Sequence, residues 1–207
     1  MFNSNSTSYS GAEPGGVDQS LYTLLNQVMS GVSTDSGERV VMICPISDQI
    51  RSYTLCDSLA KTASMNGMSV LLWNLNNAEL NAKKFDFQKA DLLSTLKAHN
   101  LIESGFVKRP DDTIWETQST IRFRWNPKAV AESQALADAI KALSKMFDLI
   151  IMNCPPVGML DEGYRSFAAH ADSIVLVAKK GKTKKQEIAR SVEATKGLPV
   201  AGFIMLE

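Results

Sequence analysis

The chain has 207 residues, of which 44% are hydrophobic and 21% are charged, a composition typical of globular domains. Its 22 basic and 22 acidic residues give a formal net charge of zero. Proteins that bind nucleic acids or anionic membrane surfaces through charge carry a basic excess, so this balance argues against both classes.

The N-terminal residues 1–17 are rich in Ser, Asn and Gly and hold too few apolar side chains to build a core, which predicts a disordered arm. Residues 18–207 have the length of a single domain. The start of the chain lacks the basic and apolar regions of a secretory signal, and no apolar run approaches the ~20 residues of a membrane-spanning helix. We therefore expect a cytoplasmic protein.

Apolar runs of strand length alternate with segments of helical periodicity in the first part of this domain. In chain order they predict a helix over 21–29, a strand over 38–44, a helix over 47–67 and a strand over 69–75. The next stretch is less regular, and its pattern predicts a helix over 90–99, a loop over 103–113 and one or two strands over 113–125.

The last part of the chain returns to clear alternation. It predicts a helix over 127–145, a strand over 147–153, a helix over 162–171, a strand over 172–181, a helix over 183–197 and a strand over 199–206. The strands are apolar at consecutive positions, which indicates a parallel sheet buried on both faces. The sequence thus predicts a doubly wound, mostly parallel α/β fold, in which ligands bind at the carboxyl ends of the strands.

Two long runs carry a resemblance to a known family. ERVVMICPISDQIRSYTLCDSLAKTASMNGMSVLLWNLN and FDLIIMNCPPVGMLDEG resemble the bacterial tyrosine kinases of polysaccharide synthesis, members of the P-loop group that includes the ParA/MinD ATPases. The most distinctive part is Pro155-Pro156 after an apolar strand, followed by ADSIVLV. The resemblance covers about residues 19–207 and is weakest over 76–120. It implies a P-loop NTPase-like fold, ATP as substrate and a membrane protein as partner.

The loop after the first predicted strand departs from the family pattern. Pro45 occupies the place of the first glycine of the phosphate loop, and Ile50-Arg51-Ser52 the place of its Gly-Lys-Ser. Those glycines let backbone N–H groups surround a phosphate. Proline has no N–H to donate, and a β-branched residue resists the left-handed backbone conformation. We expect normal phosphate binding to be lost here.

The carboxylates of the family pattern are also replaced. Asn74 and Asn76 occupy the places of an Asp-x-Asp motif, and Asn153 that of the Asp in Asp-x-Pro-Pro. Mg²⁺ in phosphoryl-transfer sites is held by anionic oxygens, and the attacking hydroxyl needs a carboxylate base. Asparagine has nearly the same shape but no charge, so each replacement keeps the geometry and removes the chemistry.

We accordingly assign no catalytic and no metal-binding residue. A degenerate nucleotide site is predicted at Arg51, Ser52, Asn74, Asn76 and Asn153. We expect no cofactor and no Mg²⁺, with weak binding of ATP or ADP as an alternative. The asparagines could also simply end strands without a ligand, or belong to an active enzyme with an unorthodox site.

The resulting functional hypothesis is a pseudokinase that regulates synthesis or export of a bacterial exopolysaccharide or capsular polysaccharide. By resemblance its partner is an integral-membrane chain-length regulator that recruits it to the inner face of the inner membrane, and self-association stays open. The alternatives are an active ATP-dependent tyrosine kinase or ATPase, and a ParA/MinD-like positioning factor.

Two further features allow more than one interpretation. The chain has three cysteines, Cys44, Cys56 and Cys154. An odd number argues against a disulfide framework, and their spacing fits no zinc site. This favours buried thiols in a reducing compartment over a redox-sensitive thiol. The run KKGKTKK over 179–185 is typical of a solvated loop, although it could face a phosphate or the acidic tail of a partner.

Overall fold

The computed structural model describes residues 6–9, 19–30, 39–76, 88–91, 105–110, 113–117, 121–124, 134–159, 165 and 168–207. The helices within these ranges are α1 (Gln19–Ser30), α2 (Tyr53–Met65), α3 (Gln134–Ser144) and α4 (Lys185–Ala194), with a short 3-10 helix at Val157–Met159. The strands are β1 (Ser6–Tyr9), β2 (Val40–Pro45), β3 (Val70–Asn74), β4 (Gln88–Asp91), β5 (Phe106–Lys108), β6 (Ile114–Thr117), β7 (Ile121–Arg124), β8 (Leu149–Asn153), β9 (Ser173–Lys179) and β10 (Val200–Leu206).

Eight of these strands form one sheet in the order β1-β10-β9-β2-β8-β3-β6-β5. All its neighbouring strands are parallel except β5 and β6, and β4 pairs with β7 separately. The connection through α2 leads from β2 to β3, towards the β5 edge of the sheet. The connection through α4 leads from β9 to β10, towards the β1 edge. Right-handed crossovers in opposite directions place helices on opposite faces, which confirms the predicted doubly wound fold.

The core lies on both sides of the central strands. Every residue of β2, β3 and β8 is buried, as the consecutive apolar pattern predicts for strands covered on two faces. Leu55, Leu59 and Ala63 share the buried face of α2, and this helix ends before Gly67, whose φ of 81° strongly favours glycine. The three cysteines are buried and unbridged.

The structure differs from the sequence prediction at several elements. Residues 6–9 fall inside the predicted disordered arm, yet they form β1, whose backbone pairs with β10 at the edge of the sheet. Strand β5 falls inside a predicted loop because buried Phe106 packs edge-on against Trp73, with ring centroids 5.6 Å apart. Tertiary contacts override weak local signals in both places.

Other predictions meet the structure only in part. Of the one or two strands predicted over 113–125, the structure has two, β6 and β7. The helix predicted over 90–99 starts within β4, and residues 92–100 lie outside the described ranges. The helix predicted over 127–145 is described from Gln134 onward. Within the described ranges no helix is long and apolar enough to cross a membrane.

Candidate functional site at the carboxyl ends of the strands

The central strands end side by side at one edge of the sheet. Asn153 at the end of β8 is in register with Ile43 of β2 on one side and with Asn74 of β3 on the other. Parallel pairing therefore brings together polar residues that are 79 positions apart in the chain. Helix α2 begins directly above this edge, because it follows β2 after a short loop.

Four of the predicted site residues form one connected group, the asparagine network of Ser52, Asn74, Asn76 and Asn153. The Ser52 hydroxyl donates to Asn153 Oδ1 at 2.6 Å, and Asn153 Nδ2 donates to Asn74 Oδ1 at 2.9 Å. The same Asn74 oxygen accepts the backbone N–H of Asn76 at 3.1 Å. These distances are those of ordinary to strong hydrogen bonds.

The asparagine network is buried and electrically neutral. Ser52 and Asn153 are fully buried at 0% exposure, and Asn74 is 6% exposed. Both ends of the Asn153 amide are used, since its oxygen accepts one bond and its nitrogen donates another. Neutral groups that satisfy one another in this way avoid the large cost of burying an unpaired charge.

Two members of this environment were not predicted from the sequence. Cys56 lies one helical turn after Ser52, and its thiol donates to Asn153 Oδ1 at 3.7 Å. The i, i+4 spacing on α2 is the signal that could have identified it. Thr117 at the end of β6 accepts the backbone N–H of Asn74 through Oγ1 at 2.9 Å. No local signal reveals it, because it belongs to the irregular middle of the chain.

The loop that leads from β2 to Ser52 makes its own hydrogen bonds. The N–H of Ile46 donates to Val177 O at 2.9 Å, and that of Ile50 donates to Ser47 O at 3.2 Å. The Ile50 side chain is buried, and no non-glycine residue in the described ranges has a positive φ. Residues 46–51 contain no glycine, so the loop lacks the left-handed turns with which phosphate nests are usually built.

Arg51 stands apart from the network that its neighbours form. Its side chain is exposed, and none of the described residues forms an ion pair with it. The five residues predicted to form one site are therefore four buried neutral groups and one solvated cation.

This arrangement is a poor fit for a magnesium-bound nucleotide. The oxygens that meet at the strand ends belong to amides and a hydroxyl, whereas Mg²⁺ in such sites is held by at least one carboxylate. The Ser52 hydroxyl, which a P-loop would offer to the metal, is fully buried and donates to a neutral amide oxygen of Asn153. Across the ranges that are described, no cluster of three or more His, Cys, Asp or Glu residues could hold a metal ion.

A charged group, the Arg109 cluster of Tyr53, Asp57, Arg109 and Glu116, lies beside the network. Arg109 donates to Asp57 Oδ1 at 2.7 Å and to Glu116 Oε2 at 2.5 Å, and its side chain is only 16% exposed. Burial lowers the pKa of Arg109, but its hydrogen bonds to Glu116 and Asp57 outweigh burial and leave that pKa raised. The cluster joins the β5–β6 hairpin to the first turn of α2.

Tyr53 completes the cluster and follows Ser52 directly. Its hydroxyl donates to Glu116 Oε2 at 3.1 Å. Burial, followed by the negative charge of Glu116, raises the pKa of Tyr53 to about 12. This tyrosine therefore keeps its proton throughout the physiological range and acts as a hydrogen-bond donor.

We expect the ultraviolet absorbance of tyrosinate to show an ionisation step near pH 12 that disappears in Tyr53→Phe. The pKa of Tyr53 in the folded protein exceeds its unfolded value of about 10. The contribution of protonated Tyr53 to the stability of the fold is therefore complete below pH ~10 and is lost as the pH rises through 12. Circular dichroism at each pH restricts the comparison to folded protein. Tyr22→Phe should leave the step in place, and a step that survives in Tyr53→Phe would contradict the assignment.

Comparisons with known proteins find similarity at the level of structure. No family model matches the chain, and no curated protein matches its sequence. The tyrosine kinase domain of BceF superposes with a TM-score of 0.72 and 22% identity, over 91% of this chain and 76% of that one. The kinase domain of Escherichia coli tyrosine kinase ETK gives 0.70 and 15%, over 91% and 73%.

A second group of similar structures lies outside the kinases. The septum site-determining protein MinD of Pyrococcus horikoshii, complexed with Mg-ADP, superposes with a TM-score of 0.56 and 18% identity, over 81% of this chain and 69% of that one. At identities this low, the superpositions establish a shared fold and nothing finer. The predicted resemblance to the bacterial tyrosine kinases and their P-loop relatives is therefore confirmed for the fold.

Proposed function

We propose that this chain is a tyrosine-kinase-like protein without phosphoryl-transfer activity, which regulates bacterial polysaccharide synthesis or export through a partner protein. The observation that carries the proposal is the neutral, hydrogen-bonded asparagine network at the strand ends. The fold shared with the kinase domains supplies the scaffold. By the resemblance, the network stands for the anionic metal ligands that an active kinase would need.

The chemistry of phosphoryl transfer supports this reasoning. The transferred phosphoryl group needs a metal ion to neutralise charge, donors that surround its oxygens, and a base that orients the attacking hydroxyl. An amide is neither an anionic ligand nor a base near neutral pH, so Asn74 and Asn153 serve neither purpose. Arg51 is the one cation of the predicted site, and its planar guanidinium differs from the compact ammonium of a P-loop lysine.

The regulatory partner is part of the proposal and rests on the resemblance to the polysaccharide kinases. We propose an integral-membrane chain-length regulator that holds the domain at the inner face of the inner membrane. Such a role needs a correctly folded surface and no turnover, which agrees with a scaffold that retains its core. Copurification of this chain with the chain-length regulator from membranes would support this role. Copurification with a partner located at the cell pole would instead support MinD-like positioning.

The decisive experiment is calorimetry with ATP and ADP, with and without Mg²⁺, combined with an assay of ATP hydrolysis. We expect no Mg²⁺-dependent binding and no hydrolysis, whereas the ETK kinase domain in the same assays provides the active reference. If a nucleotide binds weakly without metal, Arg51→Ala should abolish the binding. The matched control is Arg190→Ala, which removes another exposed arginine from α4.

One outcome would refute the proposal. Saturable binding that requires Mg²⁺, with hydrolysis that disappears in Arg51→Ala and persists in Arg190→Ala, would establish an active enzyme with an unorthodox site.

A further inference from the structure

A strongly basic surface lies outside the asparagine network. The segment Lys179–Lys185, here called the lysine turn, contains five lysines and no acidic residue in a chain whose net charge is zero. Lys180, Lys182, Lys184 and Lys185 are exposed. Such local concentration of one charge creates a potential that attracts and orients charged partners.

The backbone of the lysine turn is held firmly by hydrogen bonds. Lys179 O accepts the N–H groups of Lys182 at 3.1 Å and Thr183 at 2.9 Å. The Thr183 hydroxyl accepts the Lys179 N–H at 2.8 Å, and Gly181 provides the left-handed residue of the turn with φ of 70°. A surface on a fixed backbone loses little backbone entropy when a partner binds.

The lysines have few acidic partners within the chain. Lys180 Nζ lies 3.8 Å from a carboxylate oxygen of Glu207. The ammonium groups of Lys182, Lys184 and Lys185 take part in no ion pair with the residues that the structure describes. Glu187, the nearest acid in sequence, accepts the backbone N–H of Lys184 at 2.7 Å and so fixes the start of α4.

The lysine turn lies at the same edge of the sheet as the asparagine network, at the carboxyl ends of the strands. The turn leaves the carboxyl end of β9, the strand adjacent to β2. The Ile46 N–H, just beyond β2, donates to Val177 O near the end of β9. A ligand on the turn would therefore lie at the same edge as the asparagine network.

We propose that the lysine turn docks an acidic segment of a partner polypeptide. Charge complementarity selects an anionic partner, and the carboxylates at the same edge favour a polypeptide over a lipid bilayer. Glu207 has a side chain that is 51% exposed next to Lys180, and Asp48 is exposed in the loop after β2. A bilayer presents negative charge over its whole area and is repelled by both, whereas a peptide can place its carboxylates on the lysines alone.

The proposal goes beyond the function proposed above and does not depend on whether the domain hydrolyses ATP. Its test is fluorescence anisotropy of a fluorescein-labelled ten-residue peptide of six Glu and four Ser, at low and high salt. We expect wild type to bind at low salt, and the triple variant K182Q/K184Q/K185Q to bind about tenfold more weakly. The same peptide with Gln in place of Glu should not bind.

The matched control is K141Q/K145Q/K196Q, which removes the same charge from exposed lysines elsewhere. It should change the affinity less than twofold. Equal weakening in both triple variants, or no binding by wild type, would overturn the proposal. It would also be overturned if K182Q/K184Q/K185Q lost binding to phosphatidylglycerol vesicles while binding of the peptide was unchanged.

Discussion

Replacing Asn153 by aspartate should destabilise the protein by about 3–5 kcal/mol at pH 7, because it leaves a buried charge without a cation. Asn153 is fully buried, and its Nδ2 donates to Asn74 Oδ1 at 2.9 Å. In Asn153→Asp a carboxylate oxygen replaces this nitrogen, so two acceptor oxygens would face each other. Asn74 has no easy compensating rotation, because its Oδ1 also accepts the Asn76 N–H.

The expected pH dependence distinguishes charge from shape. Burial should raise the pKa of the new carboxyl above its unfolded value of about 3.9. The destabilisation should then be nearly absent below pH ~4, where the carboxylic acid can donate to Asn74, and it should grow as the pH rises towards the folded pKa. Urea denaturation of Asn153→Asp and wild type at pH 4 and pH 7 measures this difference.

The control for this substitution is Gln134→Glu, which makes the same change from amide to carboxylate at an exposed position of α3. Its effect should stay within about 0.5 kcal/mol at both pH values. If Asn153→Asp were as stable as wild type at pH 7, the asparagine network would not exclude charge. If Mg²⁺ alone restored the stability of the variant, a single carboxylate would be enough to recreate a metal site.

Arg109→Met should cost about 2–4 kcal/mol, somewhat less than the loss of a fully buried partner because the cluster is partly solvated. Arg109 is 16% exposed, and its partners Asp57 and Glu116 are 21% and 24% exposed. Removing the guanidinium leaves the carboxylates of Asp57 and Glu116 without the cation that they share, and only Asp57 keeps another, the exposed Lys61. The contact between the β5–β6 hairpin and α2 should loosen, which urea denaturation and hydrogen exchange in β6 would measure.

Two further variants sharpen the interpretation of this cluster. Lys61 is the other cation of Asp57: its Nζ lies 2.8 Å from Asp57 Oδ2, and its side chain is 58% exposed. Because this ion pair is solvated, Lys61→Met should lower the free energy of unfolding by less than about 1 kcal/mol. Combining Arg109→Met with Glu116→Gln should cost less than the sum of the two single changes, because the repulsion is then relieved. An Arg109→Met cost no larger than that of Lys61→Met would show that the cluster does not stabilise the fold.

The parts of the fold that sequence predicted well are those with strong local patterns. The consecutive apolar residues of β2, β3 and β8 are typical of short strands covered on both faces, and their alternation with helical segments indicates a parallel α/β sheet. Because all parallel strands end at the same edge, the asparagines at the ends of β3 and β8 could be expected to meet. The structure places Asn74 and Asn153 in contact with each other, and Asn153 in contact with Ser52.

The Arg109 cluster could not be predicted in this way. Arg109 and Glu116 fall in the stretch of the chain with the weakest periodicity, where the sequence pattern predicts a loop at the position of β5. Arg109 meets Asp57 across 52 positions of sequence, a contact that depends on the β5–β6 hairpin lying over α2. Sequence spacing carries no information about such a contact.

The sequence by itself determined the alternation of elements, the parallel sheet and the absence of acidic residues at the ends of β3 and β8, because each is a local property of residue type and period. Only the tertiary structure decided that the Ser52 hydroxyl donates to Asn153, while the Arg51 side chain points into solvent. It also decided that β1 pairs at the sheet edge and that the lysine turn lies at the carboxyl ends of the central strands, beside the asparagine network. These outcomes depend on strand order and register, which are fixed by packing among residues far apart in the chain.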